Sequence, residues 1–244
     1  MAIEILIFAL VIIAAAAMVR STFGFGDALV AMPLLSLFLS VKTASPVVAA
    51  MAIVISIPII IANWQKARVR ATWQLVAFSI IGIPIGVIYL KGAGEDLVKI
   101  VLAIILIIFS AYKLWRPEML SLRSDRAAPL FGVISGMLGG AYNTNGPPII
   151  IFGTLRGWDP LQFRAILQGV FLPTNIFIVA GHVAAGLWTP EVVTLFLWSL
   201  PVLAVALLAG SRLSQRLDPV RFSRYIYIFL IVIGFVLLAR TILG

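Results

Sequence analysis

The chain has no cysteine and a single histidine among its 244 residues. Disulfides, thiol nucleophiles and thiolate metal sites are excluded, and no cluster of metal-ligand type can be assembled from what remains. Charge is scarce too: 11% of residues are Asp, Glu, Lys or Arg, against about 25% in an average soluble domain. Also missing are a phosphate-binding loop, a Ser/His/Asp set in a plausible frame, and a pair of carboxylates embedded together in an apolar segment. An ATP-driven pump or a membrane hydrolase would lack its usual machinery, so the chain reads as neither an enzyme nor a cofactor carrier.

What is present is apolar: 62% hydrophobic residues and a mean hydropathy of +1.15. Such a chain cannot clothe itself in polar surface, and the implied fold class is all-α, a polytopic helical bundle whose partner is the lipid bilayer. The net charge of +9 does not point to nucleic acid, because the basic residues are spread over short loops rather than gathered on one soluble face. Ile3 to Val19 is apolar like a signal peptide, but Glu4 replaces the basic flank and no small-residue cleavage motif follows, so it is read as retained.

Apolar runs bounded by charge, Gly or Pro predict six spanning helices, at 44–63, 71–90, 97–115, 161–182, 189–210 and 221–242. Two further apolar regions, 3–40 and 127–155, are each interrupted. The first break runs from Ser21 to Asp27 and contains Gly24-Phe25-Gly26; the second is Gly139-Gly140-Ala141-Tyr142-Asn143-Thr144-Asn145-Gly146-Pro147-Pro148. The residues after the second break reach only about 14 Å at 1.5 Å per residue, half of a hydrocarbon layer of roughly 30 Å. Both regions are therefore expected to be helical hairpins, with two full crossings an open alternative for 3–40. Thirteen Lys and Arg residues fall in the loops 62–72, 113–126, 156–164 and 211–224, against four (Lys42, Lys91, Lys99 and Arg240) on the other side. The positive-inside rule then places both termini outside the cytoplasm.

An offset of 114 superposes Pro33 on Pro147, Gly26 on Gly140, Ser21 on Ser135 and Pro46 on Pro160. This divides the chain into repeats 1–122 and 123–244, each a hairpin plus three helices. An odd number of crossings per repeat makes the second copy inverted, the arrangement suited to alternating access, with the binding site where broken helices meet.

The breaks carry the candidate site, because backbone interrupted inside a bilayer must be packed in protein or line a wet cavity. The N-terminus of a half-helix offers unpaired N–H donors and a partial positive charge, which favours an anion. Candidate substrate-binding residues are Arg20, Ser21, Thr22, Gly24, Gly26, Gly139, Gly140, Tyr142, Asn143, Thr144, Asn145, Gln168 and Asn175, with Pro33, Pro147 and Pro148 shaping the hairpins. Arg20 and Asp27 are the ionisable pair placed away from any loop, and such groups are functional candidates by default. Arg20 is expected to attract the anion and Asp27 to carry a proton; a structural ion pair, or a cap at Asp27, is the alternative. Asn145 is equally a plain N-cap, Tyr142 a wedged aromatic, and Gln168 and Asn175 interhelical bonding groups. His182 is expected at an outer helix end, solvated or capping.

The Gly-Phe-Gly tip followed by Pro33, and its modified echo at Gly139-Gly140 with Pro147, resemble the TauE/SafE family, over nearly the whole chain. Asp27 departs from the family pattern, in which the glycine run commonly continues. The resemblance implies a secondary carrier for sulfite, sulfonates or similar small anions in a prokaryotic inner membrane. A passive anion channel, a carrier of small carboxylates and a non-transporting scaffold are the competing readings. Protons are a candidate coupling ion, and the oligomeric state, monomer or homodimer, is left open.

Overall fold

The computed structural model describes residues 3–63, 69–115, 124–158, 160–213 and 219–243. Parts of the four basic loops on which the orientation rests, at 64–68, 116–123, 159 and 214–218, lie outside those residues. Ten α-helices follow in order: α1 (Ile3–Phe23), α2 (Asp27–Leu35), α3 (Val41–Asn63), α4 (Val69–Gly92), α5 (Glu95–Trp115), α6 (Ala128–Tyr142), α7 (Gly146–Leu155), α8 (Pro160–Ala184), α9 (Pro190–Leu213) and α10 (Pro219–Leu243). The fold is all-helical, as the composition requires, since lipid offers no partner for an open backbone. The six expected spans appear with ends shifted by at most three residues. Pro46, Pro58, Pro84, Pro173 and Pro201 all lie within them. Neighbouring helices satisfy the freed carbonyls of such residues well enough for them to persist in membrane helices.

Among the described residues, seven helices are long and apolar enough to cross a membrane: α1, α3, α4, α5, α8, α9 and α10. Of these, α3 and α8 are the most enclosed, at 61% and 50% buried, and they pack against each other at the centre. The outward faces carry exposed Ile, Val, Leu and Phe, which marks them as the lipid boundary.

The three remaining helices belong to the breaks. Helix α2 has 9 residues and α7 has 10, about 14 and 15 Å at 1.5 Å per residue, so neither crosses. Region 3–40 thus has one long arm and one short, and α2 is too short to be the second of two full crossings. Phe8 on α1 stacks on Phe38, just past α2, at 6.1 Å, closing the first hairpin at its base. The second is closed by Arg156 and Asp125, 2.8 Å apart.

Helix α5 relates the two bases. At its start, Glu95 accepts the N–H of Val41 at 2.8 Å, beside the exit of the first hairpin. Near its end, Lys113 donates to Thr154 at 3.3 Å, at the exit of the second. Eighteen residues of helix separate those contacts, a rise of about 27 Å, so the hairpins are rooted at opposite ends of the bundle.

The helix starts do not follow the expected offset of 114. Helices α2 and α7 start at 27 and 146, and α3 and α8 at 41 and 160, both 119 apart. Pro33 lies well inside α2, whereas Pro147 occupies the first turn of α7. Proline costs no hydrogen bond in a first turn but removes one from a helix interior, so matching one to the other aligned residue types rather than places. At 119, Gly24 falls on Asn143, and both adopt a left-handed backbone with φ of 83° and 54°.

The closest helix contact joins α4 to α6. A Cβ added at Gly136 would lie 2.0 Å from the Ser79 carbonyl oxygen, and one at Gly82 would lie 2.1 Å from that of Val133. At Gly86 and Gly140 the corresponding distances are 2.1 and 2.3 Å, to the carbonyls of Met137 and Ile83. Glycines four residues apart on both helices let the backbones touch directly.

Candidate functional site

The two breaks meet. Gly26, Asp27, Asn143, Thr144 and Asn145 line one hollow, together with Arg20 from α1 and Phe171 from α8. Its volume is about 10 Å³, room for one water. Any anion of four or more heavy atoms is larger, so the hollow must widen to admit one.

Arg20 is 2% exposed and is held on several sides. Its Nη1 donates to Asp27 Oδ2 at 2.7 Å. Its Nη2 donates to Ser56 on α3 at 2.6 Å and to Gln168 Oε1 on α8 at 3.2 Å. The guanidinium lies 5.3 Å from the centre of the Phe171 ring, within cation–π range. A buried charge needs such neighbours, because desolvation costs several kcal/mol per ion and is offset only by close pairing and hydrogen bonds. Gln168 completes the clamp by donating from Nε2 to the carbonyl of Gly24. One residue of α8 thus fixes both the arginine and the first break.

Asp27 opens α2, and Gly26 stands before it in a left-handed conformation at φ 99°. The ion-pair reading of Arg20 and Asp27 is the arrangement seen. Around Asp27 the first-turn N–H groups of α2 have no carbonyl within the helix to bond. In α7 the same positions include Pro147 and Pro148, which have no N–H, so α2 is the richer donor end.

Across the hollow, Asn143 closes α6 in a left-handed conformation, with its N–H donating to the Gly139 carbonyl at 2.8 Å. Its side chain is free for other work: Asn143 Oδ1 and Thr144 Oγ1 are buried and have no hydrogen-bond partner among the described residues, nor has Nε of Arg20. Buried polar atoms are nearly always paired, so three unpaired ones around a single hollow need a reason. Asn145 makes no side-chain cap. It donates instead to Thr174 at 3.1 Å, while its carbonyl accepts from Ser135 at 2.8 Å.

Other expected site residues are placed elsewhere. Ser21 donates to the Leu207 carbonyl on α9 at 3.2 Å, and Thr22 to Met18 in its own helix at 2.9 Å. Gly140 is part of the α4 contact, and a Cβ on Gly139 would meet Ile178 at 2.8 Å. Tyr142 is wedged, as one reading had it, edge-on to Tyr89 with hydroxyls 3.4 Å apart. Asn175 is buried with Oδ1 unpaired, but it does not line the hollow. His182 is a correction: it is fully buried, and its Nε2 donates to the Gly140 carbonyl at 2.7 Å. That carbonyl lies in the last turn of α6, where helix bonding runs out, and the histidine supplies the missing donor.

Ser56 and Phe171 were not singled out from the sequence. A serine or phenylalanine inside an apolar helix has no local signature, and only the convergence on Arg20 marks them. The glycine contact did have one, in Gly82-x3-Gly86 and Gly132-x3-Gly136-x3-Gly140.

Comparison with known proteins bears on this geometry. The family described as sulfite exporter TauE/SafE matches residues 8–237. A relative from Cupriavidus necator, named probable sulfite/organosulfonate exporter TauE, is 27% identical over 170 residues. That alignment covers 66% of this chain and 66% of the relative, just under two thirds of each. No solved structure matches at a significant level.

Proposed function

Because the chain belongs to the sulfite exporter TauE/SafE family, we propose that it is a secondary carrier moving a small sulfur-containing anion through the hollow between its hairpin tips. The supporting observation is that hollow itself: two interrupted helices present an arginine, a rich helix N-terminus and three unpaired polar atoms to one place in the bilayer. A sulfite or sulfonate offers three acceptor oxygens. Guanidinium N–H groups, first-turn backbone N–H groups and a threonine hydroxyl are suitable donors for them.

Asp27 sets the conditions for binding. While its carboxylate holds Arg20 the pair is neutral, and an incoming anion competes with a built-in one. Protonating Asp27 removes that competitor, so proton binding and anion binding favour each other, and the two move together. Hairpins rooted at opposite ends of the bundle support an inverted repeat, in which the site opens to each face in turn. On this reading both termini lie outside the cytoplasm of a prokaryotic inner membrane.

The test is uptake of sulfite and of a short alkylsulfonate into proteoliposomes. Saturable flux is expected, with labelled substrate exchanging against unlabelled substrate inside. Electrogenic flux without counterflow would make the protein a channel, and no flux of any sulfur anion would remove the substrate class. Asp27→Asn is expected to keep exchange and lose its dependence on pH; unaltered pH dependence would rule Asp27 out as the proton carrier.

A further inference from the structure

A crevice of about 450 Å³ runs between α4 and α8, away from the hairpin hollow. One wall is Ile80, Pro84 and Ile88 of α4, the other Phe177 and Gly181 of α8, and Lys91 stands at one end. Gly181 keeps it open, since a Cβ there would come within 3.2 Å of Val87. The mouth faces sideways: Ile88 is 71% and Phe177 46% exposed, on a surface that meets lipid.

From Ile80 to Lys91 is eleven residues of α4, a rise of about 16 Å, close to half of a hydrocarbon layer of roughly 30 Å. The crevice therefore runs the depth of one leaflet and ends in a cation. Lys42 donates to the backbone carbonyl of Lys91 at 2.9 Å, bringing a second ammonium to the same rim. The nearby carboxylate of Glu95 is engaged by the Val41 N–H and by Lys99 at 3.5 Å. Neither Lys42 nor Lys91 forms an ion pair among the described residues.

We propose that this crevice is a binding site for one anionic glycerophospholipid, with an acyl chain lying between α4 and α8 and the headgroup phosphate against Lys91 and Lys42. At that depth a sideways-opening apolar slot meets hydrocarbon chains, and the paired ammonium groups select the headgroup by charge.

Native mass spectrometry of the protein released from nanodiscs of equal phosphatidylglycerol and phosphatidylethanolamine tests this. The wild type is expected to retain one phosphatidylglycerol, enriched about thirtyfold over the bulk ratio, the product of about fivefold for each of two lysines near a charged surface. Lys91→Gln should lower the enrichment about fivefold and the double variant Lys42→Gln/Lys91→Gln should return the ratio to that of the bulk, Gly181→Phe should lower retention of both lipids, and Lys99→Gln should leave the enrichment intact. Retention at the bulk ratio by the wild type overturns the proposal. So does an equal loss in K91Q and K99Q, which would reduce the effect to general surface charge. Both readings hold even if Gly181→Phe does not fold.

Discussion

Arg20 touches both halves of the molecule, so replacing it acts on folding as well as on binding. Arg20→Gln leaves Asp27 buried without its partner, a loss of about 3–5 kcal/mol for an enclosed pair. Its thermal unfolding in detergent is expected well below that of the wild type. Adding Asp27→Asn removes the stranded charge, so the double variant should regain most of that stability and still carry no anion. A double variant that transports normally would mean that the arginine is scaffolding. Asn143→Ala is the complementary case: its Oδ1 has no partner to lose among the described residues, so stability should change by under about 1 kcal/mol, the usual scale of a neutral hydrogen bond, while apparent affinity falls. At this scale the sequence was informative wherever chemistry is rare. An arginine and an aspartate inside apolar segments are conspicuous, and so they were found. Ser56 and Phe171 were not, because their role comes from where α3 and α8 cross. His182 lies near a helix end as expected, but its burial was not legible, because nearness to an end says nothing about which face a side chain takes.

Helices were legible where composition changes sharply. Six spans and both breaks stand close to their expected positions, since a bilayer allows few alternatives to a helix and Gly-Pro clusters mark where one stops. The spacing of 119 between helix starts was not legible, because glycine and proline recur too often in membrane helices to anchor an alignment. The contact between α4 and α6 gives the sharpest test at this level. Gly136→Ala puts a methyl 2.0 Å from a backbone oxygen that has no rotamer by which to withdraw. Overpacking of this kind costs roughly 1–3 kcal/mol, against the gain of up to about 1 kcal/mol that alanine brings to a helix. A lowered unfolding temperature is expected, whereas Gly94→Ala, with nothing within 4 Å of its added Cβ, should unfold like the wild type. Equal behaviour of the two would mean that the helices stand further apart than described.

For the whole molecule, the orientation rests on thirteen basic residues against four, and a reporter fused to the C-terminus tests it. Alkaline phosphatase at that end should be active and a fluorescent protein that folds only in the cytoplasm should stay dark; the reverse result inverts the bundle. The division at residue 122, on which the proposed inverted repeat rests, also does not follow the packing. Helix α4 lies before that division and α6 after it, yet their backbones mesh along a line of glycines, with the Ser79 hydroxyl bonded across it to the Gly132 carbonyl, like two combs pressed tooth to gap. Such a join cannot glide, since every step along it drives a carbonyl into a neighbouring backbone. Whatever shifts during turnover, α4 therefore travels with the second hairpin, and spin labels on these two helices should keep one separation throughout the cycle. The line of movement has to be drawn around that join, through the looser seams of the bundle.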